Sequence, residues 1–550
     1  MLNQVVTCIT ELAENQVDHI KRLTKIGQSL SSETDLNKIF DMMLEEAIEF
    51  TNADGATIYR VSDDAKHLNF EIVYTGSLNI RQGGTHGKVL WPSIPLYDDN
   101  GNPRLNHIVT SVYHSKKDLC FDDVYETKDF DISGTKRTDQ AHGYRCKSML
   151  TIPLKNHEDE VLGVVQIINA MDKNGEISTF NDEHKTMLYS LASQAAITLS
   201  NRKLIESLEN LLMQFIRAIA KAIEQKSKYS SDHIMRVAML TDMIAAKVST
   251  AKEGKYSEIR FSDNELKELS MAGWMHDVGK IITPEHIMDK SVKLETIYDR
   301  IEIIKLRFEN LRLLLDYWSA TLGSEDFIAR ICSIFGEEIK PLNVKEHLDT
   351  ELAFLEKINI GGEFVPDDDL KRIEHLASIR FMHKNKEYYL LDEDEKRNLM
   401  IRKGTLLPEE IKQMSTHVSV TWDMLSQLSF PKKYKNVAFY ASTHHEKLNG
   451  KGYPWGLKAE ELPLQSRIIA VADIFEALTS ADRPYKKAKT LSESLRIMAF
   501  FVKDGDLDGD LLDFFLDSQL YLEFAQEYMN PSQIDEVNLD GIKALYHPKP

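Results

Sequence analysis

The chain is poor in cysteine, and its four cysteines never come close together: Cys8, Cys120, Cys146 and Cys332 are scattered over 550 residues. That spacing fits neither a disulfide framework nor a cysteine-based metal or redox motif, so reduced thiols in a cytoplasm are expected. No apolar run approaches the roughly 18 residues that a membrane-spanning helix needs. The N-terminus lacks the basic segment followed by an apolar one that marks a secretory signal. Positive charge is scarce as well. With 67 Lys and Arg against 86 Asp and Glu, the formal net charge is -19, which argues against a protein that coats nucleic acid or an anionic membrane. A small anionic substrate remains compatible, provided metal or Lys/Arg charge is gathered locally.

What is present is an ordinary globular balance, long enough for about three compact units. From about residue 17 to 52, apolar positions recur at helical spacing, as in Ile39-Phe40, Met42-Met43 and Ala47-Ile48. Strand-like runs follow at Ala56–Val61, Leu68–Tyr74, Met149–Leu154 and Val161–Ile168. The polar stretch His157-Glu158-Asp159-Glu160 between the last two predicts a hairpin. A helix then begins near Asn181-Asp182-Glu183. This order describes an α+β domain of sensor type.

Residues 17–200 resemble a GAF domain. The resemblance is carried by Gly143-Tyr144-Arg145-Cys146-Lys147-Ser148-Met149-Leu150-Thr151-Ile152-Pro153-Leu154 and by Leu162-Gly163-Val164-Val165-Gln166-Ile167-Ile168-Asn169-Ala170. It implies an input module for a small ligand of unknown identity. The pattern of cyclic-nucleotide-binding members is only partly met, by Asn169-Ala170, Phe180 and Asp182-Glu183; a role in joining sheet to helix is the preferred reading of these residues.

Between Leu199 and Ile223 there is neither glycine nor proline. Leu204, Leu208, Leu211, Phe215, Ala218 and Ala222 recur at alternating four- and three-residue steps, a heptad seam that predicts a short parallel coiled coil and hence a homodimer. A single amphipathic helix packed on its own domain is the alternative.

Histidines then accumulate in helical contexts. Ser230 or Ser231 can cap a helix in which His233, Val237, Leu240 and Ile244 share one face. Ser262-Asp263-Asn264-Glu265 is a capping box opening a helix that ends in His276-Asp277-Val278-Gly279-Lys280. Pro408 suits the first turn of another helix, with Ile411, Met414, His417-Val418 and Thr421-Trp422 on its buried face. His444-His445-Glu446 leads into Gly450-Lys451-Gly452-Tyr453-Pro454. Asp473 stands in the apolar run Ile468–Phe475, where an unpaired carboxylate would cost several kcal/mol. Each residue has a bland explanation alone. Together, five histidines and two aspartates point to a shared metal site.

Residues 224–290 and 402–535 resemble an HD-GYP phosphodiesterase. The carrying residues are His233 with Arg236-Val237, His276-Asp277…Lys280, His417, His444-His445-Glu446 with Gly452-Tyr453-Pro454, and Asp473 followed by Arg483-Pro484-Tyr485. The resemblance implies an all-α bundle that hydrolyses cyclic di-GMP to pGpG, and onward to GMP, at a centre of two or three metal ions, often iron or manganese. His233, His276, Asp277 and Asp473 would hold one metal; Asp277, His417, His444 and His445 would hold the other. His276, Asp277 and Lys280 would be catalytic, and Lys280, Gly452, Tyr453, Arg483 and Lys486 would contact substrate. Tyr229 stands where three-metal members carry glutamate, so two metals are expected. An extra alanine in Thr479-Ser480-Ala481-Asp482-Arg483-Pro484-Tyr485 blurs the place of Arg483.

About a hundred residues, 291–401, separate the two halves of that resemblance. Leu294, Ile297, Ile301, Ile304, Phe308 and Leu311 predict one long amphipathic helix there, and a helical insert overall. Gly361-Gly362-Glu363-Phe364 is similar to a cyclase signature by coincidence. Asp504-Gly505-Asp506-Leu507-Asp508-Gly509 opens like a calcium loop but has Phe515 where a glutamate is needed. The expected architecture is therefore multidomain: an N-terminal extension (1–16), an α+β GAF sensor (17–200), a coiled-coil linker helix (201–226), an all-α HD-type metal-dependent phosphohydrolase bundle (227–290 and 402–535) with a helical insert (291–401), and a tail (536–550). A phosphodiesterase for 3′,3′-cGAMP, or a catalytically silent regulator that binds nucleotide or a partner, are the alternatives.

Overall fold

The computed structural model describes residues 21, 24, 27–29, 33, 35–227, 232–336, 343–480 and 488–547. They form two compact units, Met1–Leu211 and Leu212–Pro550.

In the first unit, the helix Leu36–Thr51 is capped by Asp35, whose side chain accepts from Asn37 N–H, and turns Ile39, Phe40, Met43 and Leu44 inward. The strands are β1 (Ala53–Val61), β2 (His67–Thr75), β3 (Ile80–Gly83), β4 (Ile94–Pro95), β5 (Leu119–Phe121), β6 (Met149–Lys155), β7 (Val161–Met171) and β8 (Ile177–Ser178). They pair in the order β3-β2-β1-β7-β6-β5, with β4 on β2 and β8 on β7. The β6–β7 hairpin sets Leu150 opposite Ile167 and Ile152 opposite Val165. These side chains pack in one core with Ile39, Phe40 and Met43 of the first helix and with Leu188, Leu191 and Ala195. Asn169 is spent on structure: its Oδ1 accepts from Lys147 N–H at 2.7 Å, and its Nδ2 donates to Tyr144 Oη and Arg145 O. Asp182 and Glu183 lie exposed at a helix start.

That helix, Asp182–Glu224, is continuous over 43 residues. Its heptad positions Leu204, Leu208, Leu211 and Phe215 are 48–59% exposed. Ile216 and Ile223, off that stripe, are buried in the core of the second unit.

The second unit is largely helical. Its main core gathers the helices His233–Thr250, Asp263–Met275, Leu464–Thr479, Leu491–Lys503, Gly509–Asp517 and Leu520–Tyr528. Val237, Leu240 and Ile244 are fully buried there. Ile411, read from sequence as buried, is 54% exposed, because the buried face of Pro408–Ser426 begins only at His417. The stretch 504–509 is structural: Asp506 binds Lys447, and Asp508 caps Gly509–Asp517 while pairing with Arg467.

Residues between 294 and 399 build a second core of their own around Phe308, Leu311, Leu348 and Leu355. Two expectations are corrected here. The long helix starts at Ile301, not at Leu294. Leu294 is held from outside the helix by Asn359 Oδ1, which accepts its N–H at 2.8 Å. The chain then folds back, with Glu295 bridged to Asp299 and Thr296 N–H bonded to Tyr298 O. Nor is the insert wholly helical. Arg380–His383 and Lys386–Tyr389 form an antiparallel hairpin around Lys384 and Asn385, both at positive φ, the turn geometry that suits strand twist. Two buried lysines tie the ends of the insert together. Lys290 Nζ reaches Asn398 Oδ1 and Glu410 Oε2 at 2.8 Å, and Lys293 Nζ reaches the carbonyls of Leu399 and Ile401.

The corrected helix start separates two residues that sequence placed on one stripe. Phe308→Ala should destabilise the protein by about 3–5 kcal/mol. Ile297→Ser, at a side chain 94% exposed, should stay within about 0.5 kcal/mol. Urea unfolding of both variants checks this; equal losses would restore the longer helix.

Candidate metal centre

The centre is positioned by backbone packing. The helix Asp263–Met275 opens with a capping box of Ser262 and Glu265. It delivers His276 at its end, then Asp277 and the 3-10 turn Val278–Ile282. That turn lies against Pro408–Ser426 so closely that a Cβ on Gly279 would collide with the carbonyl oxygen of His417; only glycine fits. Thr421 Oγ1 accepts from Gly279 N–H at 3.0 Å and donates to the His276 carbonyl at 3.1 Å. His417 is thereby fixed beside His276 and Asp277. His444 and His445 follow the short helix Val437–Ala441. Asp473 lies within Leu464–Thr479, and His233 is the first residue of His233–Thr250.

Three of the histidines are held alike. Nδ1 of His276, His417 and His444 faces the carbonyl of the residue three places earlier, Gly273, Met414 and Ala441, at 2.8, 2.6 and 2.8 Å. A nitrogen facing a carbonyl must carry the proton, so each Nε2 presents a lone pair. All three Nε2 atoms are buried without a hydrogen-bond partner, and so is Asp277 Oδ1. Buried polar atoms are seldom orphaned. Four of them turned toward one another are what a cation would satisfy.

The donor atoms fall into overlapping groups, each within 4.8 Å: His233, His276 and Asp473; His276, Asp277 and His444; His417, His444 and His445. Asp277 lies between them. Its Oδ2 is 3.4 Å from His233 Nε2 and 3.2 Å from His276 Nε2. Its Oδ1 is 3.3 Å from His417 Nε2 and 3.8 Å from His444 Nε2. Imidazole and carboxylate donors suit first-row divalent ions. All seven sequence-predicted metal ligands are thus brought together.

The electrostatics agree. Burial, with His445 and His276 nearby, holds His444 well below its ordinary pKa. Burial and His417 bring His445 down to about 3. Both are neutral, the form that ligates. Burial opposes the charge of Asp277, but Lys280 and His276 hold its carboxyl well below the usual range. Lys280 Nζ sits 2.5 Å from Asp277 Oδ2, and Asp277 and Asp473 keep its pKa raised despite burial. His233 differs: burial would lower its pKa, yet Glu476 and Asp277 raise it to about 10. The proton so favoured on Nε2 occupies the place a cation would take.

Beside this cluster lies the turn that follows His445. Glu446, 5% exposed, accepts from the N–H groups of Trp455, Gly456 and Leu457 at 2.7, 3.1 and 2.9 Å. A Cβ on Gly452 would strike the backbone of Glu446 and Lys447. The Tyr453 ring lies 5.0 Å from that of His445. Arg483 and Lys486, like Ser230, Ser231 and Tyr229, lie outside the described residues. Sequence reasoning missed Glu476, which bonds His233 Nδ1 and Arg236 Nε. The signal was there: a second carboxylate three residues after Asp473 shares its helix face.

Glu446→Ala should leave three loop N–H groups without their acceptor and destabilise the chain by about 3 kcal/mol. Thermal unfolding together with limited proteolysis of residues 447–458 checks this. An unchanged melting curve with no new cleavage would deny Glu446 its role in holding the turn.

Comparison with known proteins places both regions. Residues 35–199 match the GAF domain family, and residues 394–511 match the HD domain family. Over 98 residues, the chain is 42% identical to a cyclic di-GMP phosphodiesterase of Thermotoga maritima, covering 18% of this chain and 26% of that protein. It is 44% identical over 90 residues to 3'3'-cGAMP-specific phosphodiesterase 1 of Vibrio cholerae, covering 16% and 21%. It is 40% identical over 99 residues to the cyclic di-GMP phosphodiesterase response regulator RpfG of Xanthomonas campestris pv. campestris, covering 18% and 25%. The chain thus spans about a quarter or less of the length of these relatives. No helix among the described residues is long and apolar enough to cross a membrane. The chain joins a GAF domain, over residues 35–199, to a largely helical region that carries an HD domain, over residues 394–511.

Proposed function

We propose that the chain is a signalling phosphodiesterase that hydrolyses cyclic di-GMP to pGpG at a two-metal centre, under the control of its GAF domain. The observation that carries this reading is the pair of histidine clusters beside Asp277, with the buried and unpartnered Nε2 atoms of His276, His417 and His444. The activities named for the similar proteins support the same reaction class. His233, His276, Asp473 and Asp277 would hold one ion, and Asp277, His417, His444 and His445 the other, with iron or manganese expected. Bound there, two divalent ions supply positive charge to a phosphodiester and make water more acidic.

The chain's own groups do the rest. Lys280, kept charged by Asp277, would donate to a non-bridging phosphate oxygen. Gly452 and Tyr453 would form the wall against which the nucleotide rests, held in place through Glu446. Arg483 and Lys486 would meet the distal phosphate. In the reaction, a water oxygen forms the new bond to phosphorus, the P–O3′ bond breaks, and the 3′ oxygen takes up a proton. The product is pGpG; a second cut would give GMP. A second substrate, 3′,3′-cGAMP, is favoured by the similarity to a relative named for it.

Control would pass through the long helix. Its exposed stripe of Leu204, Leu208, Leu211 and Phe215 would close against the same stripe of a second copy, making a homodimer. Its end meets neighbours of the centre: Glu224 accepts from Ile234 N–H beside His233, and Lys226, just past the helix, reaches the carbonyls of Ile281 and Thr283 beyond Lys280. A rotation of the helix, set by a small ligand at the GAF domain, would therefore act on the ligands of the centre. The domain limits are proposed as 17–200, 201–226, 227–290 with 402–535, and 291–401.

Incubating manganese- or iron-loaded protein with each dinucleotide and resolving the products tests the chemistry. Cyclic di-GMP should yield pGpG, and the double variant His276→Ala/Asp277→Ala should give only background. No turnover of either dinucleotide would defeat the enzyme reading. For the dimer, single cysteines at Leu204, Leu208 and Leu211 should cross-link between copies. Absence of a cross-link at every position would exclude the paired helix.

A further inference from the structure

His233 is held differently from His276, His417 and His444. It is the first residue of its helix. In place of a carbonyl, its Nδ1 meets the carboxylate of Glu476, 1% exposed and one turn beyond Asp473. The second oxygen of Glu476 accepts from Arg236 Nε at 2.6 Å, and Arg236 extends to Ser480 Oγ at 3.3 Å. A carboxylate is a stronger acceptor than a carbonyl. It fixes the ring and raises the donor strength of the opposite nitrogen. Arg236 allows Glu476 to keep its charge despite burial.

We propose that Glu476, charge-balanced by Arg236, is a positioning residue that makes the two metal positions unequal, strengthening the ion held by His233, His276 and Asp473 over the one held by His417, His444 and His445. The inference rests on the two-metal reading above. Behind the pair lies a polar cavity of about 70 Å³ lined in part by Arg236, Glu476, Thr479, Ser480, Asn530 and Gln533. It is large enough to admit a small carboxylate in place of a removed side chain.

The test is a manganese titration of the full chain, following free Mn²⁺ by electron paramagnetic resonance. Wild type should bind two ions with different affinities. Glu476→Gln, which keeps the shape and removes the charge, should weaken the tighter ion about 10- to 100-fold and leave the other unchanged. In Glu476→Ala the same ion should be lost and then restored by formate, a rescue that a merely structural role would not give. Should the glutamine variant fail to fold, the alanine variant with formate decides. Wild-type affinity for both ions in Glu476→Gln, equal weakening of both, or no formate rescue would overturn the proposal. Wild type that binds two ions yet cleaves no cyclic dinucleotide would overturn the substrate reading and leave this one standing; wild type that binds none would overturn both.

Discussion

The candidate metal centre depends on one buried carboxylate. Asp277 is 1% exposed, and a carboxylate taken out of water costs several kcal/mol unless it is fully compensated. Lys280 compensates part of that cost through Oδ2. The rest falls to imidazoles on both sides, His233 and His276 facing Oδ2, His417 and His444 facing Oδ1. Those imidazoles are in turn committed through Nδ1 to backbone carbonyls or to Glu476, so they cannot donate to Asp277 through Nε2 without becoming cationic. Lys280 and His233, its pKa raised, bring charge to the Oδ2 side, whereas His444, held neutral by burial, brings none to the Oδ1 side, where a cation would complete the compensation.

The backbone enforces that arrangement. Gly279 lets the turn after Asp277 approach the His417 helix to contact distance, and Thr421 of that helix accepts from Gly279 N–H and donates to the His276 carbonyl. This matters because 136 residues separate Lys280 from His417 in sequence. Most of them fold on a core of their own, whose two ends are tied by Lys290 and Lys293. A folded insertion with adjacent ends adds little closure entropy to the site it interrupts. The centre therefore behaves as though the insert were a short connection.

The candidate ligands were legible because each is awkward without a partner: paired histidines, a histidine on an apolar stripe, an aspartate among Ile468–Phe475. The α+β pattern was legible from the strand-like runs and the 157–160 turn. Glu476 was overlooked although it shares a helix face with Asp473, because an acid on a helix by itself does not announce that it backs an imidazole. The start of the insert misled for a related reason. Leu294 and Ile297 fall on a helical period with Ile301, but periodicity carries no record of the Asn359 side chain that captures Leu294 N–H. The hairpin at Arg380–Tyr389 was hidden by its exposure, which removes the alternation that marks a half-buried strand.

The most direct measurement is anomalous scattering from crystals of the manganese-loaded protein. The account predicts two metal peaks about 3.5–4 Å apart, one bounded by His233, His276 and Asp473, the other by His417, His444 and His445, with Asp277 between them. A single peak, or two peaks that do not share Asp277, would contradict it.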